Sequence, residues 1–415
     1  MDSHLGKAVW VHAWLPTNAT EPLHAGTLRF DSERAQYAFI YETDYLAHPS
    51  AYSLAPSLPL GDAVYYPPLD PTTAASDDEA RERALDPVFR NAAPDSFGRS
   101  IVDEEFHRTN LDEITYLLEP GHENFGSLSF TPAGHELPKL SWPIDDSRDE
   151  RTIQALAMMR DPDPDDLNAL LDRVTVGGAW PKFARGSEII KTSFAGDAWP
   201  RLRLEYFATE LARAMGVNTH HVQLGRLNNR DVLAVSRFDR SSYQNPSDAL
   251  TGKRRQALSF WALAQVDEMV AHRLSYPNFL RIIEPLAIDP QAQGEELFRR
   301  IAANIIVGNT DDHARNHACF WDGAHLELTP AYDIEARLSG TAWPHQALAY
   351  GEDGERESDL DVLASCAETY GMTVRHAKAL ISDMLDAAHD AFTDLAEQAY
   401  LTPEQAQKGM AVQIL

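Results

Sequence analysis

The sequence predicts an α+β protein in which a strand-rich N-terminal part is followed by a mainly helical C-terminal part. Residues 8–15 and 26–41 are rich in the aromatic and β-branched side chains that suit strands. From about residue 257 onward, apolar residues recur mostly at helical spacing, most clearly over residues 374–392. The 415 residues are enough for two or three domains and a large core.

The composition is that of an acidic globular protein, with 63 Asp and Glu against 36 Lys and Arg and a formal charge of -27. Such a surface repels a phosphate backbone, which argues against autonomous nucleic-acid binding but not against a basic partner that binds DNA. Two cysteines, Cys319 and Cys366, give no disulfide framework. Because no signal peptide and no apolar run of about 20 residues is visible, we expect a soluble cytoplasmic protein without membrane contact.

Polar and proline-rich stretches predict the connections. Residues 69–83 are polar and acidic and predict an exposed connection, and residues 131–150 predict a linker or surface excursion. Residues 89–99 have a turn at their middle and are predicted to open a helix. The acid-rich run 161–166 predicts a turn and another helix start, since acids favour the N-terminal end of the helix dipole.

A glycine pair, Gly177 and Gly178, lies between strand-like runs and predicts a loop whose backbone can approach a phosphate closely. The spacing is not that of a Walker loop. Lys191 ends the next apolar strand, the position at which kinase folds place a lysine on the ATP phosphates. A ligand-free hairpin and an exposed strand-end lysine remain the alternatives.

Two elements follow this strand. Residues 201–215 predict an amphipathic helix that ends at Gly216, with Glu205 in its first turn, where it could face Lys191. Residues 231–240 predict a strand that leads into a connection.

The richest polar stretch follows an apolar helical run that Gly308 ends. The apolar positions of that run share one helix face; they are Leu297, Phe298, Ile301, Ala302, Ile305 and Ile306. After the helix come Asp311, then Asn316 five residues on, then Asp333. Phosphoryl transfer needs this set, because one carboxylate accepts a hydroxyl proton while an amide oxygen and another carboxylate hold magnesium on ATP.

Two alternatives remain open for this stretch. One is a solvated turn rich in Asp and Asn. The other is a zinc site on His313 and His317, which are four residues apart, although Ala314 stands where a metalloprotease has its Glu.

Five runs, V-G-G-A-x-P-K, I-I-K, V-x-R-F-D-R, N-T-D-D-H-x-R-N-H and L-x-P-A-Y-D-I, resemble those of the HipA-type toxin serine/threonine kinases of bacterial toxin–antitoxin systems. The resemblance extends to residues 26–28 and 94–99. It implies a two-lobed, protein-kinase-like fold with a strand-rich N-terminal lobe, an extra N-terminal subdomain and a mainly helical C-terminal lobe. The implied domains are residues 1–150, 151–245 (the nucleotide-binding part with its glycine loop) and 246–415 (the catalytic lobe).

The resemblance also implies residue roles. Asp311 becomes the catalytic base, Asn316 and Asp333 the magnesium ligands, and Lys191 the partner of the ATP phosphates. Gly177 and Gly178 belong to a flexible loop over the nucleotide, Ser236 and Phe238 meet adenine, and Asp239 lies near the ribose. Thr175 stands where the family has an autophosphorylated serine, and Trp180 replaces a polar or basic residue.

The implied function is an ATP- and Mg²⁺-dependent protein serine/threonine kinase that acts as a growth-inhibiting toxin. The implied target is a translation-linked protein such as an aminoacyl-tRNA synthetase. The implied partner is a HipB-like helix-turn-helix antitoxin, through which the chain would reach DNA only indirectly. The alternatives are a non-catalytic nucleotide-binding corepressor and a small-molecule phosphotransferase.

Overall fold

The structure is a computed structural model that describes residues 6–15, 21–94, 96–119, 123–137, 182–185, 187–193, 199–227, 230–240, 254–336, 345–408 and 410. The chain forms two compact units. The first comprises Met1–Ala195, Ser236–Met269 and Phe320–Ala324, and the second comprises Gly196–Val235, Val270–Cys319 and His325–Leu415. The domain boundaries at residues 150 and 245 stay a prediction.

A five-stranded antiparallel sheet lies at the centre of the first unit. Its strands are β1 (Val9–Ala13), β2 (Leu23–Asp31), β3 (Gln36–Tyr41), β4 (Val64–Tyr65) and β5 (Leu128–Pro132). They lie in the order β4-β3-β2-β1-β5. The predicted strands are confirmed, and the run 26–41 forms two of them because the carboxylate of Asp31 accepts the N–H groups of Glu33 and Arg34 in a tight turn.

The first unit also contains short helices: α1 (Thr43–Leu46), α2 (Asp77–Arg83), α3 (Pro87–Arg90), α4 (Ser96–Phe106) and α5 (Glu113–Leu118). Phe89 of α3 joins the helices to the sheet, since its ring centroid lies 5.0 Å from that of Phe39 in β3 and 6.4 Å from that of Phe130 in β5. The helix predicted to open within residues 89–99 is confirmed by α4.

The exposed connection predicted over residues 69–83 is wrong in part, because the segment contains a 3₁₀ turn (Pro71–Thr73) and α2. Ser76 caps α2 by accepting the N–H of Glu79 at 3.2 Å, and acids fill the first turn. No residue of α2 is buried. Because α2 has a cap and charged side chains but no buried apolar face, its sequence shows no hydrophobic period that would indicate a helix. The helix start predicted at 161–166 lies outside the described residues.

The described part of the second unit contains a hairpin and several long helices. The hairpin pairs β8 (Val222–Leu227) with β9 (Arg230–Ser236). Earlier in the chain, the first unit contributes the strands β6 (Lys182–Arg185) and β7 (Glu188–Thr192). The helices are α6 (Arg201–Ala214), α7 (Tyr276–Ile283), α8 (Pro290–Val307), α9 (Leu360–Ser365), α10 (Val374–Gln398) and α11 (Pro403–Lys408). The rings of Phe207 in α6 and Phe392 in α10 meet edge to face at 5.4 Å. The helices predicted at 201–215 and 374–392 are therefore confirmed.

Helix α8 is the rigid support of the polar stretch. Asp289 caps its start by accepting the N–H of Ala292 at 3.0 Å, and Pro290 occupies its first position. Its predicted apolar face is buried, and the helix ends where Gly308 adopts a left-handed conformation with φ of 73°. The prediction that Gly308 stops this helix is confirmed.

The mostly helical pattern expected after residue 257 is interrupted by strands. These are β10 (Gln256–Ser259), β11 (Ala318–Trp321) and β12 (Leu326–Leu328). Short helical turns fill other connections at Phe260–Leu263, Glu268–Arg273, Glu284–Leu286 and Ala367–Tyr370. Apolar runs of three or four residues do not distinguish strand from helix by their period, so the sequence could not separate them. In the described part of the chain, no helix has the length and apolarity to cross a membrane.

Candidate active site

Asparagine side chains fix the loop that follows α8. The backbone N–H of Asn309 donates to the carbonyl of Asn304 at 2.9 Å, and its side-chain Nδ2 donates to Oδ1 of Asn304 at 3.0 Å. Oδ1 of Asn309 then accepts the N–H of Asp311 at 3.2 Å. The loop therefore leaves the helix in one defined direction, with Asp311 held by its own backbone.

Asp311 and Asn316, the first two predicted site residues, lie in one compact turn. The carbonyl of Asp311 accepts the N–H of His313 at 2.9 Å and Nδ2 of Asn316 at 3.3 Å. Asp311 is exposed, whereas Asn316 is buried. Because Nδ2 of Asn316 is used within the loop, its Oδ1 is the atom suited to a metal ion.

Asp312 is the buried member of the Asp pair and was not singled out from the sequence. Its Oδ2 accepts the hydroxyl of Tyr276 and, at 2.5 Å, Nδ2 of Asn304. Its Oδ1 lies 3.0 Å from Nε2 of His317. Burial by itself would raise the pKa of Asp312, but His317 and the Tyr276 hydroxyl outweigh it and lower that pKa. Asp312 thus anchors the loop as a buried carboxylate.

The surroundings of His317 bear on the alternative of a zinc site on His313 and His317. The ring of His317 lies 5.1 Å from that of Tyr276 and 5.9 Å from that of Phe279, centroid to centroid. Packed there and facing Asp312, His317 has a structural role. Among the residues that the structure describes, no three or more His, Cys, Asp and Glu side chains are grouped to hold a metal.

Asp333 is carried on a segment that is tied at several points. Nη2 of Arg300 donates to the carbonyl of Thr329 at 2.6 Å, and the N–H of Ala331 donates to the carbonyl of Asn218 at 2.7 Å. Asp333 itself has φ of 60°, a left-handed conformation that non-glycine residues adopt rarely and often at functional sites.

One hydrogen bond brings the segment of Asp333 to the loop of Asn316. The hydroxyl of Tyr332 donates to the carbonyl of Arg315 at 2.6 Å. The residue before Asp333 therefore contacts the residue before Asn316. Mg²⁺ binds oxygen ligands, usually one or two carboxylates together with substrate phosphates, and the role of Asn316 and Asp333 as its ligands stays a prediction.

In the first unit, β6 and β7 form a hairpin that places two lysines opposite each other. Lys182 pairs with Lys191, and Phe183 pairs with Ile190. Directly opposed residues share a face, so the lysines lie on one side of the hairpin and the apolar pair on the other. Only 4% of Lys182 and 9% of Lys191 is exposed. Lys182 was not identified from the sequence, although its place in the V-G-G-A-x-P-K run was a usable signal.

Other predicted phosphate-binding elements are only partly described. Thr175, Gly177 and Gly178 lie outside the described residues. Glu205 of α6 is buried, and its pairing with Lys191 stays a prediction.

Asp239 lies in a buried ionic cluster of the first unit. Its carboxylate accepts Nε of Arg237 at 3.0 Å, Nη1 of Arg240 at 2.8 Å and the N–H of Gly126 at 2.8 Å. Burial would raise the pKa of Asp239, but the two guanidinium groups outweigh it and hold the pKa well below its usual range. These contacts give Asp239 a structural role, and its contact with ribose stays a prediction.

Ser236 and Phe238, the two residues predicted to contact adenine, lie shortly before Asp239 in the sequence. Ser236 is half-buried at the end of β9. The ring of Phe238 meets those of Phe125 and Phe320 edge to face, each at 5.8 Å. Contact of Ser236 and Phe238 with adenine stays a prediction.

Comparison with known proteins gives a consistent result. A model of the HipA-like C-terminal domain matches residues 174–392, and one of the HipA N-terminal domain matches residues 19–131. Serine/threonine-protein kinase toxin HipA of Shewanella oneidensis is 23% identical over 341 residues, which are 75% of this chain and 72% of that protein. Putative kinase Y4mE of Sinorhizobium fredii is 25% identical over 201 residues, 46% of each protein.

The fold agrees as well. A chain in the solved complex of HipA, HipB and operator DNA from Shewanella oneidensis MR-1 matches with a TM-score of 0.70 and 18% identity, over 94% of this chain and 91% of that one. The predicted α+β, HipA-like kinase fold is confirmed. Since the C-terminal model alone spans more than half of the 415 residues and the N-terminal model matches a separate region before it, this chain belongs to the HipA family.

Proposed function

We propose that this chain is an ATP- and Mg²⁺-dependent protein serine/threonine kinase that acts as the toxin of a toxin–antitoxin system. The observation that carries the proposal is the bond from Tyr332 to Arg315, which joins the segment of Asp333 to the turn that holds Asp311 and Asn316. A carboxylate at a loop surface beside two oxygen ligands is the arrangement that phosphoryl transfer requires.

Each residue has a role in this proposal. Asp311, exposed on the fixed loop, orients a Ser or Thr hydroxyl and accepts its proton. Asn316 and Asp333 would hold Mg²⁺, which when bound offsets charge on the transferred phosphoryl group. Lys191, with Lys182 opposite it, offsets the charge of the ATP phosphates. Asp312 keeps the loop in place through Tyr276, Asn304 and His317.

The partner and the target are proposed from the net charge of the chain and from its similarity to known proteins. The Shewanella relative is named a toxin, and the matching chain comes from a complex of HipA, HipB and operator DNA. A charge of -27 would speed association with a small basic antitoxin that itself binds DNA. We propose a HipB-like helix-turn-helix antitoxin as the partner and a translation-linked protein, such as an aminoacyl-tRNA synthetase, as the target. Thr175 is proposed as the site of autophosphorylation.

Transfer of labelled phosphate from ATP to proteins of a bacterial extract tests this function. Asp311→Asn should lower the rate by about 100-fold or more, because a positioned base contributes about that factor. Asp383→Asn, a change at an exposed position of α10, should transfer phosphate at the unaltered rate. Equal activity of Asp311→Asn and the unaltered chain contradicts the proposal. ATP binding without transfer by the unaltered chain favours the corepressor alternative.

A further inference from the structure

Four residues of the second unit, Asn304, Asn309, Asp311 and Asp312, form a closed ring of hydrogen bonds, here termed the hydrogen-bond ring. Nδ2 of Asn304 donates to Oδ2 of Asp312 at 2.5 Å, and Nδ2 of Asn309 donates to Oδ1 of Asn304 at 3.0 Å. Oδ1 of Asn309 accepts the N–H of Asp311 at 3.2 Å. The peptide bond between Asp311 and Asp312 closes the ring.

The hydrogen bonds of this ring run in one direction only. The N–H of Asp311 can only donate, so it faces the amide oxygen of Asn309, whose Nδ2 then donates to Asn304. The amide of Asn304 accepts that bond with its Oδ1 and directs its Nδ2 to Asp312. Asp312, whose pKa is lowered, is a carboxylate and can only accept. Each amide therefore has a single orientation, and the series of donors ends at Asp312.

Burial makes this direction strict. The exposed fraction is 4% for Asn304, 2% for Asn309 and 4% for Asp312. With so little access to solvent, a lost partner is not replaced by bulk water, and two oxygen atoms that face each other are costly. A donor that is changed to an acceptor at one position should therefore affect the other members of the ring.

The ring connects the main chain of Asp311 to the rigid helix α8, which contains Asn304. The carbonyl of Asp311 is held within the turn itself, where it accepts the N–H of His313 at 2.9 Å and Nδ2 of Asn316 at 3.3 Å. Its N–H is held by Asn309, and Asn309 is held by Asn304. A displacement of either asparagine would therefore move the proposed catalytic base relative to α8.

We propose that Asn304 and Asn309 are positioning residues for phosphoryl transfer, which hold Asp311 in place through the one-directional hydrogen-bond ring that ends at Asp312. This inference rests on the proposed function. Both asparagines act through Asp311, so a disturbed ring should lower the rate of transfer and leave the affinity for ATP nearly unchanged.

The test is the rate at which the full chain transfers labelled phosphate to the proteins of a bacterial extract at varied ATP, which gives an apparent kcat and a KM for ATP. Asn304→Asp and Asn309→Asp each replace an amide donor by an acceptor of the same shape. Each should lower the apparent kcat by about 100-fold, the effect of a misplacement of about 1 Å. The KM for ATP should stay near the unaltered value.

Asp312→Asn as a second change should rescue both variants. In Asn304→Asp, two carboxylates face each other at residues 304 and 312. In Asn309→Asp, the amide of Asn304 must turn its Nδ2 to residue 309, so that its Oδ1 faces Asp312. In both cases Asp312→Asn places a donor at the conflict, and each double variant keeps the net charge of the unaltered chain. Both should recover most of the lost kcat, with Asp312→Asn alone as the baseline of the two mutant cycles.

Asn278→Asp is the matched control, the same substitution outside the ring. Oδ1 of Asn278 accepts the N–H of Ser275 at 3.1 Å and its hydroxyl at 2.9 Å at the start of α7, and an Asp side chain keeps that oxygen. This variant should transfer phosphate at the unaltered rate. Melting temperatures establish that each variant is folded.

Hydrogen–deuterium exchange of the Asp311 N–H, followed by NMR, reports on the ring without catalysis. The exchange should be up to about tenfold faster in Asn304→Asp and Asn309→Asp, which is the equivalent of one hydrogen bond. It should return toward the unaltered rate in the two double variants.

The outcomes separate the inference from the function on which it rests. If the two single variants are folded and transfer phosphate at the unaltered rate, the asparagines do not position Asp311, while the kinase assignment stands. The same holds if the double variants recover the melting temperature but not the kcat. If a single variant does not fold, its double variant decides, because the inference requires that folding and kcat both recover. If the unaltered chain transfers no phosphate, the proposed function fails and the positioning role fails with it.

Discussion

The hydroxyl of Tyr276 donates to the carboxylate of Asp312, the residue next to the proposed catalytic base. Tyr276 begins α7 and Asp312 follows α8, so this bond fixes the loop to a second helix 36 residues earlier in the chain. Asp312 is fully engaged inside the protein, which leaves Asp311 as the surface carboxylate of the pair. The buried partners of Asp312 therefore decide which of the two carboxylates is enclosed and which one, that of Asp311, lies at the surface.

Tyr276→Phe should destabilise the protein by about 1.5–3 kcal/mol, because it removes a buried hydrogen bond to a charged group. Tyr370→Phe is the matched control, since its hydroxyl donates to the neutral carbonyl of Tyr350 at 2.6 Å and the ring is equally buried. Loss of that bond should cost about 0.5–1.5 kcal/mol. Urea denaturation measures both. A smaller loss at Tyr276 than at Tyr370 would mean that Asp312 is not held as an ion.

Glu113→Gln should destabilise the first unit in a pH-dependent way. The Glu113 carboxylate accepts Nη1 and Nη2 of Arg99, both at 2.8 Å, and Nε of Arg90 at 3.3 Å. Burial would raise the pKa of Glu113, but Arg99 and Arg90 outweigh it and lower the pKa to about 2.

The sign of this pH dependence follows from the lowered pKa. The stabilisation is complete above the usual value of 4.5 and is lost as the pH falls through about 2. At pH 7 the variant should lose about 3–5 kcal/mol, the cost of breaking a buried ion pair. The stability lost in Glu113→Gln should shrink progressively below pH 4.5. The control Glu33→Gln, at an exposed position, should lose no stability. A deficit that is independent of pH contradicts the assignment.

Asp86→Asn should have the opposite effect and stabilise the protein at neutral pH. Asp86 caps α3 by accepting the N–H of Val88 at 2.8 Å, yet burial raises its pKa from 3.8 to about 6. The stability that this group contributes is complete below pH 3.8 and is lost as the pH rises through 6. An Asn side chain keeps an oxygen for the cap and carries no charge.

The expected gain for Asp86→Asn is about 2 kcal/mol at pH 8, disappearing near pH 4. Thermal unfolding across this pH range measures it, with the exposed Asp62→Asn as the control. Destabilisation at pH 8 would show that the charged form of Asp86 is the one that the fold requires.

Local patterns were sufficient to predict the supports of the site. The buried face of α8 and its stop at Gly308 follow from apolar spacing and a left-handed cap, both readable over a few residues. The strands β2 and β3 follow in the same way from their aromatic and branched side chains.

Partners distant in sequence could not be predicted. Asp311 and Asp312 are identical neighbours, and the contacts that Asp312 makes with Tyr276, Asn304 and His317 tell them apart. Glu113 meets arginines 14 and 23 residues away, and a charge pattern does not identify such partners. Strands β11 and β12 are too short to have a period, and tertiary contacts decide their conformation.

A glycine in β2 should tolerate no side chain. A Cβ atom at Gly26 would lie 2.4 Å from a ring carbon of Phe39 and 2.5 Å from the backbone carbonyl oxygen of Ile40. The ring is buried and the carbonyl belongs to the paired strand β3, so neither can move without disturbing the sheet. Gly26→Ala should therefore cost about 1–3 kcal/mol, as overpacked cores do. In β8, a Cβ at Gly225 would have its nearest neighbour at 3.9 Å, and Gly225→Ala should change stability by less than about 0.5 kcal/mol. Equal melting temperatures for the two variants would mean that β2 and β3 do not pair as closely as this register requires.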